Sequence, residues 1–250
     1  MPQVLGKEYK NFRGNSNYIV LMPKLIKAGL VPMNIADVMK ARLESAKYGT
    51  YKQKCFWLYN DFDTADGVAY YKGKIKIVHD ARALRDIQQY TELNKGALVH
   101  IPEQYRNLEG EEFSVHDLEK AGINKWLTKS KVKSHPIWKS LARDNDLLYE
   151  YADFVFAEVK KTYGSNKAMG IYLGFEQKKP TMMAWHIEEP HRKSNASGFK
   201  GLNDFTHLVG VSAEGASPKE TLDEKVLNAL KVGQTFEFNG QLYAPVSKNT

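Results

Sequence analysis

The chain has 250 residues, 42% of them hydrophobic and 26% charged, with a single cysteine and a formal net charge of +7. That length can bury a sizeable core in one large domain, and the charge content is that of a globular chain rather than a disordered one. No apolar run approaches the length of a membrane-spanning helix, the first residues lack the apolar centre of a secretion signal, and Cys55 alone excludes an internal disulfide framework, so a cytoplasmic protein without a membrane partner is expected.

The positive charge is unevenly placed. Residues 1–60 carry ten Lys/Arg and three Asp/Glu, a net of +7, and the rest balances at 26 against 26. A basic balance favours polyanionic partners. The first 17 residues, rich in Gly, Asn and Ser, read as a basic N-terminal arm on a single α+β domain spanning 1–250. "NYIVLM" reads as a short strand. "NIADVMKARLESAKYG" reads as a helix capped by Asn34, with Ile35, Val38, Met39 and Leu43 on one face. "QKCFWLY" is expected to be a buried strand. Next, "NDFDTADG" brings Asp61, Asp63 and Asp66 together. Their spacing misses the EF-hand pattern by one residue, so a solvated loop is expected, although these acids could approach a histidine in the fold.

"VAYYKGKIKIVHD" predicts a hairpin about Lys72-Gly73, because alternation resumes at Ile75 and Ile77. "DARALRDIQQY" predicts a helix with Leu84 and Ile87 inward. "GALVHIP" reads as a strand, and "SVHDLEKAG" as a short helix stopped by Gly122. Lys120 to Arg143 holds seven Lys/Arg and no acid. In it Lys125, Lys129, Lys131, Lys133, Lys139 and Arg143 are interleaved with Trp126 and Trp138. Cations can neutralise phosphates and indoles can stack on bases, so this segment is the expected nucleic-acid surface. The competing expectation is that both indoles are core and the lysines a solvated face; at least one indole is expected to be buried.

"FVFAEVKKTYG" can be read in two ways. "FVFAEVK" resembles the third motif of the PD-(D/E)xK nuclease superfamily, although the proline that usually precedes the first acid is absent. The resemblance implies that Asp144 or Asp146 and Glu158 hold Mg²⁺ while Lys160 serves the attacking water. The residues themselves favour a helix. Leu147, Leu148, Tyr151, Val155 and Val159 recur at helical spacing, no breaker separates Tyr151 from Phe154, and Gly164 follows as a stop. On a helix Glu158 and Lys160 diverge, and that nuclease trio fails.

"NKAMGIYLGF", "TMMAWHI" and "HLVGVS" read as strands. "WHIEEPHRKSNASGFKG" supplies His186, Glu188 and His191 as candidate catalytic residues, with Arg192 and Lys193 on a loop that could close over a phosphate. Alternation puts His186 and Glu188 on one strand face, opposite Trp185, where they could hold a divalent metal or act as base and orienting acid. "SPKETLDEKVLNALKVG" predicts a capped helix, and "TFEFNGQLYAPV" a hairpin about Asn239-Gly240. Hairpins and helices mix without a βαβ rhythm. The expected fold is α+β, a mostly antiparallel sheet flanked by about five helices. The expected function is nucleic-acid binding, as a possible nuclease. The alternatives are a small-molecule or phosphoester hydrolase centred on His186, Glu188 and His191, and a non-catalytic interaction protein.

Overall fold

A computed structural model describes residues 2–174 and 179–213, and the backbone of 236–238 and 241–243. It divides into two units, Met1–Ser212 and Ala213–Thr250. The first half of the larger unit holds β1 (Gln3–Val4), β2 (Lys7–Phe12), α1 (Tyr18–Lys27), β3 (Val31–Pro32), α2 (Ile35–Tyr48), α3 (Tyr51–Leu58), β4 (Phe62–Tyr71) and β5 (Lys74–Val78). Then come α4 (Arg82–Arg85), β6 (Leu93–Asn94), β7 (Ala97–Val99), α5 (Pro102–Asn107), β8 (Glu111–Ser114), α6 (Val115–Ala121) and β9 (Lys125–Thr128). The remainder is α7 (Lys129–Ser134), α8 (Pro136–Ala142), α9 (Asn145–Tyr163), β10 (Lys167–Tyr172), β11 (Thr181–Ile187), β12 (Ala196–Ser197) and β13 (Leu208–Val211).

The expected α+β architecture is observed. The main sheet runs β8-β5-β4-β11-β12-β10-β9, with β7 also on β11 and β6 on β7. Its pairings are antiparallel except β10 with β12. β4 and β11 are covered on both faces, which side-chain alternation makes possible. Met183, Trp185 and Ile187 enter the core that contains α2, α8 and α9. Met182 and Ala184 enter the second core, which contains α1 and α4. A smaller sheet, β1-β2-β13-β3, lies beside them. In the smaller unit Phe236–Phe238 pairs antiparallel with Gln241–Tyr243, the hairpin its sequence suggests. The helix expected over 217–233 lies outside the described residues.

Several local expectations are corrected. The supposed irregular arm contributes β1 and β2, and β2 pairs with β13. "NYIVLM" belongs to α1, because its apolar pattern continues as Tyr18, Leu21, Met22 and Leu25, all buried on one helix face. "QKCFWLY" belongs to α3. Thr50 and Gln53 close a capping box there, and only Trp57 of that helix is buried. The 80–90 helix shrinks to α4, although Leu84 and Ile87 are buried as expected. Residues 154–163 are helical. Asp144 caps α9 through Asp146, Gly164 ends it at φ 64°, and Leu148, Tyr151, Val155 and Val159 face the core.

Candidate functional site

The antiparallel pairing of β4 with β11 breaks its register between Ala184 and His186, which face Gly67 and Asp63. Two steps on β11 thus span four on β4. The extra residues turn inward as a bulge: Thr64 Oγ1 donates to the Trp185 carbonyl at 2.9 Å, and the Ala65 N–H donates to the Met33 carbonyl at 2.9 Å. The bulge sets Asp63 opposite His186 on one side of the strand and buries Asp66 on the other.

Asp63 organises the site. His186 Nδ1 lies 3.1 Å from its Oδ1, and Lys200 Nζ donates to Oδ2 at 2.8 Å. Thr206 Oγ1 also donates to Oδ2, and the His207 N–H approaches it at 3.4 Å. Burial alone would raise the Asp63 pKa. The charge and hydrogen bond of His186, joined by those of Lys200, outweigh burial and hold it well below the usual carboxylate range. An ionised carboxylate only accepts, so the His186 proton of this pair sits on Nδ1. His186 Nε2 lies 3.9 Å from Asp61 Oδ2. Asp61 Oδ1 accepts the Glu189 N–H at 2.7 Å, which ties the 188–194 turn to the start of β4.

Asp61, His186, Glu189, Lys200 and Thr206 line a cleft of about 470 Å³, while Asp63 is buried outside its lining. Arg13, Asn15, Asn60, Arg192 and His207 complete its polar wall, and Tyr59 and Phe205 stand on its rim. Both rings are solvated, Tyr59 at 56% and Phe205 at 72% exposure. Arg13 donates to Asn60 Oδ1 at 3.1 Å, and Arg192 pairs with Glu189 at 3.0 Å. Burial, aided by Arg13, pushes His207 down to about 4, so it is neutral at pH 7. Its Nε2 has no partner among the described residues.

Beneath the cleft lies Arg42, fully buried. Its guanidinium donates to the carbonyls of Trp57 (3.1 Å), Asn60 (2.8 Å) and Glu188 (2.8 Å), and to Tyr151 Oη at 2.8 Å and Ser194 Oγ at 3.3 Å. One side chain thereby fastens α2 to both rim segments.

The expected catalytic trio does not assemble as read from the sequence. Trp185 is inward, as alternation requires, and His186 borders the cleft, but its carboxylate partner is Asp63 rather than Glu188. Glu188 instead accepts Asn195 Nδ2 at 2.7 Å, while Asn195 Oδ1 accepts the Gly170 N–H at 2.8 Å. Burial raises the Glu188 pKa. His191 stacks on Tyr59 with centroids 4.3 Å apart. The "NDFDTADG" segment, expected as a solvated loop, contributes two buried acids to β4. Asn60, Lys200, Phe205, Thr206 and His207 were not anticipated. Among the described residues no group of three or more His, Cys, Asp and Glu side chains is arranged to hold a metal ion.

The Lys/Trp segment is also reorganised. Trp138 is fully buried and donates Nε1–H to the Met169 carbonyl at 2.8 Å. Lys129 and Lys133 converge on Asp153 at 3.2 and 3.0 Å. Arg143 turns inward to buried Asp66 at 2.6 Å and to Asp80 at 2.8 Å. Lys193 covers the Trp126 ring, 3.0 Å from its centroid. Lys125, Lys131 and Lys139 remain exposed. The intended phosphate contacts are thus largely spent on internal partners, and one indole is out of reach.

No family model matches the chain, and no curated protein matches it. A solved structure that does match reports the accommodation of massive sequence variation in Nanoarchaeota by the C-type lectin fold. It superposes with a TM-score of 0.66 at 16% identity, over 84% of this chain and 100% of that one. Together with the helical 154–163 segment and the spent lysines, this overturns the nucleic-acid and nuclease expectation. No helix among the described residues is long and apolar enough to cross a membrane. The chain is an α+β protein whose fold is similar to the C-type lectin fold.

Proposed function

We propose that the protein is a recognition module whose His186 cleft receives an uncharged, multiply hydroxylated ligand of the saccharide class. The observation that carries this reading is the internal pairing of two of the three Lys/Arg that line the cleft; the third, Arg13, is held by the neutral Asn60 among the described residues. Lys200 is matched by Asp63, Arg192 by Glu189, and His186 stands between Asp63 and Asp61. A strongly charged ligand would have to break those pairs. Hydroxyl groups, which both donate and accept, suit a wall of amides and carboxylates. The two rim rings offer apolar faces to the C–H surface of a sugar ring, a common arrangement of few polar contacts beside aromatic area. The similar fold supports a binding role in general terms.

Calorimetric titration of the full chain with neutral and carboxylate-bearing oligosaccharides tests the reading. Neutral sugars should bind, with an affinity that varies less than about threefold between 50 and 500 mM salt, because no net charge is neutralised. Phe205→Ala should weaken that binding at least tenfold. Binding restricted to anionic sugars, with a steep salt dependence, would refute it.

A further inference from the structure

A second concave surface lies beyond the Tyr59–His191 stack. α3 buries Trp57 but turns Tyr51, Lys54, Cys55 and Leu58 toward a groove of about 800 Å³. Those positions are i, i+3, i+4 and i+7, the spacing of one helix face. Phe154, Glu158 and Lys161 of α9, again at helical spacing, form the opposite wall, and Tyr59 and His191 close one end. A stripe of this kind normally packs against another element, yet on α3 it is left open. Tyr48 and Tyr51 beside it are exposed at 83% and 85%. Solvated tyrosines grouped in this way are a familiar component of recognition surfaces, since a rigid amphipathic ring loses little entropy on binding.

We propose that this groove docks an acidic amphipathic peptide segment of a partner protein. The groove floor is apolar, formed by Ala46, Cys55, Leu58 and Phe154. Its rims carry Lys54 and Lys161, which form no ion pair among the described residues; Lys47 is already held by Glu150. The one acid in the lining is Glu158. A segment with apolar anchors at i, i+3, i+4 and i+7 and flanking Asp or Glu complements both features. A second copy of the chain is disfavoured as occupant, because each copy carries a formal charge of +7. The proposal is independent of the sugar reading, since the groove and the cleft share only the Tyr59 ring.

The test is fluorescence anisotropy on the full chain with a labelled helical probe peptide. One probe has leucines at the four anchor positions and glutamates beside them; its counterpart has lysines in place of the glutamates. The glutamate probe should bind, and the lysine probe at least tenfold more weakly. The double variant Lys54→Glu/Lys161→Glu, at one half-exposed and one exposed position, should reverse that preference. Leu58→Glu should abolish binding while saccharide titration of the same variant is unchanged. Equal binding of both probes, no binding of either, or retention of the original preference in the charge-reversed variant would each overturn the proposal. So would concentration-dependent dimerisation in sedimentation that Leu58→Glu removes, which would assign the groove to a second copy.

Discussion

Asp63→Asn preserves the shape of the buried residue that holds His186 and Lys200 at the cleft but removes its charge. The carboxylate is 5% exposed and holds Lys200 at 2.8 Å and His186 at 3.1 Å. Removing one member of a buried ion pair costs about 3–5 kcal/mol, because the other is left uncompensated. The low end, about 3 kcal/mol, applies here. Lys200 keeps 24% of its side chain in solvent. For a chain of this size that corresponds to a fall in Tm of roughly 6–12 °C. The pH dependence has a definite sign. The folded pKa of Asp63 lies below its unfolded value, so its stabilisation is complete above the unfolded pKa and is lost as pH falls toward the folded one. With an unfolded pKa of about 3.9, moving from pH 7 to pH 3 removes about 1.3 kcal/mol of the wild-type advantage. Urea denaturation of both proteins at the two pH values reads this directly. A stability difference below about 1 kcal/mol at pH 7, or one that does not shrink at pH 3, would show that Asp63 does not organise the cleft electrostatically.

The remaining predictions concern residues outside the cleft. His135 is 2% exposed with neither ring nitrogen bonded among the described residues, and burial pushes its pKa to about 4 from 6.5. The unfolded chain therefore takes up the proton first, and wild-type stability should fall between pH 6.5 and 4; His135→Leu should flatten the slope by about 1.4 kcal/mol per pH unit, and parallel urea profiles for the two proteins would contradict this. Asp153→Ala breaks two solvated ion pairs and should cost less than about 1 kcal/mol in a chemical melt, since exposed pairs contribute little. Trp138→Phe keeps most of the buried ring but strands the Met169 carbonyl, and a loss of about 1–3 kcal/mol is expected in the same assay.

The sequence was most informative where one periodicity operated alone. The β4–β5 hairpin, α2 with its Asn34 cap and the strand at β11 all followed from alternation, helical spacing and capping chemistry. α1 and α3 were misread because a short apolar run suits a buried strand and a helix equally. The Thr50-x-x-Gln53 capping box was the signal that marked α3. The site was less legible for a different reason. His186 could be singled out, and the acids of "NDFDTADG" could be suspected, but their meeting depends on a bulge that joins positions 123 residues apart. No local pattern encodes that pairing. The same distance effect hid the destination of the lysines: Asp153 and Asp66 are remote in sequence from the cations they neutralise.

Arg42 has a consequence for how the cleft can change over evolutionary time. Its acceptors on the two rim segments are the main-chain carbonyls of Trp57, Asn60 and Glu188 and the Ser194 hydroxyl, not the side chains that line the cleft. Apart from the Ser194 hydroxyl, the polypeptide path at the rim is thus held through main-chain atoms that every residue carries. Tyr59 and Arg192, which line the cleft, carry none of these acceptors in their side chains. A library randomised at those two positions should consist mostly of folded variants with near-native Tm, whereas Arg42→Met alone should not. In this arrangement the side chains of the rim are free to vary while the main chain beneath them stays constant.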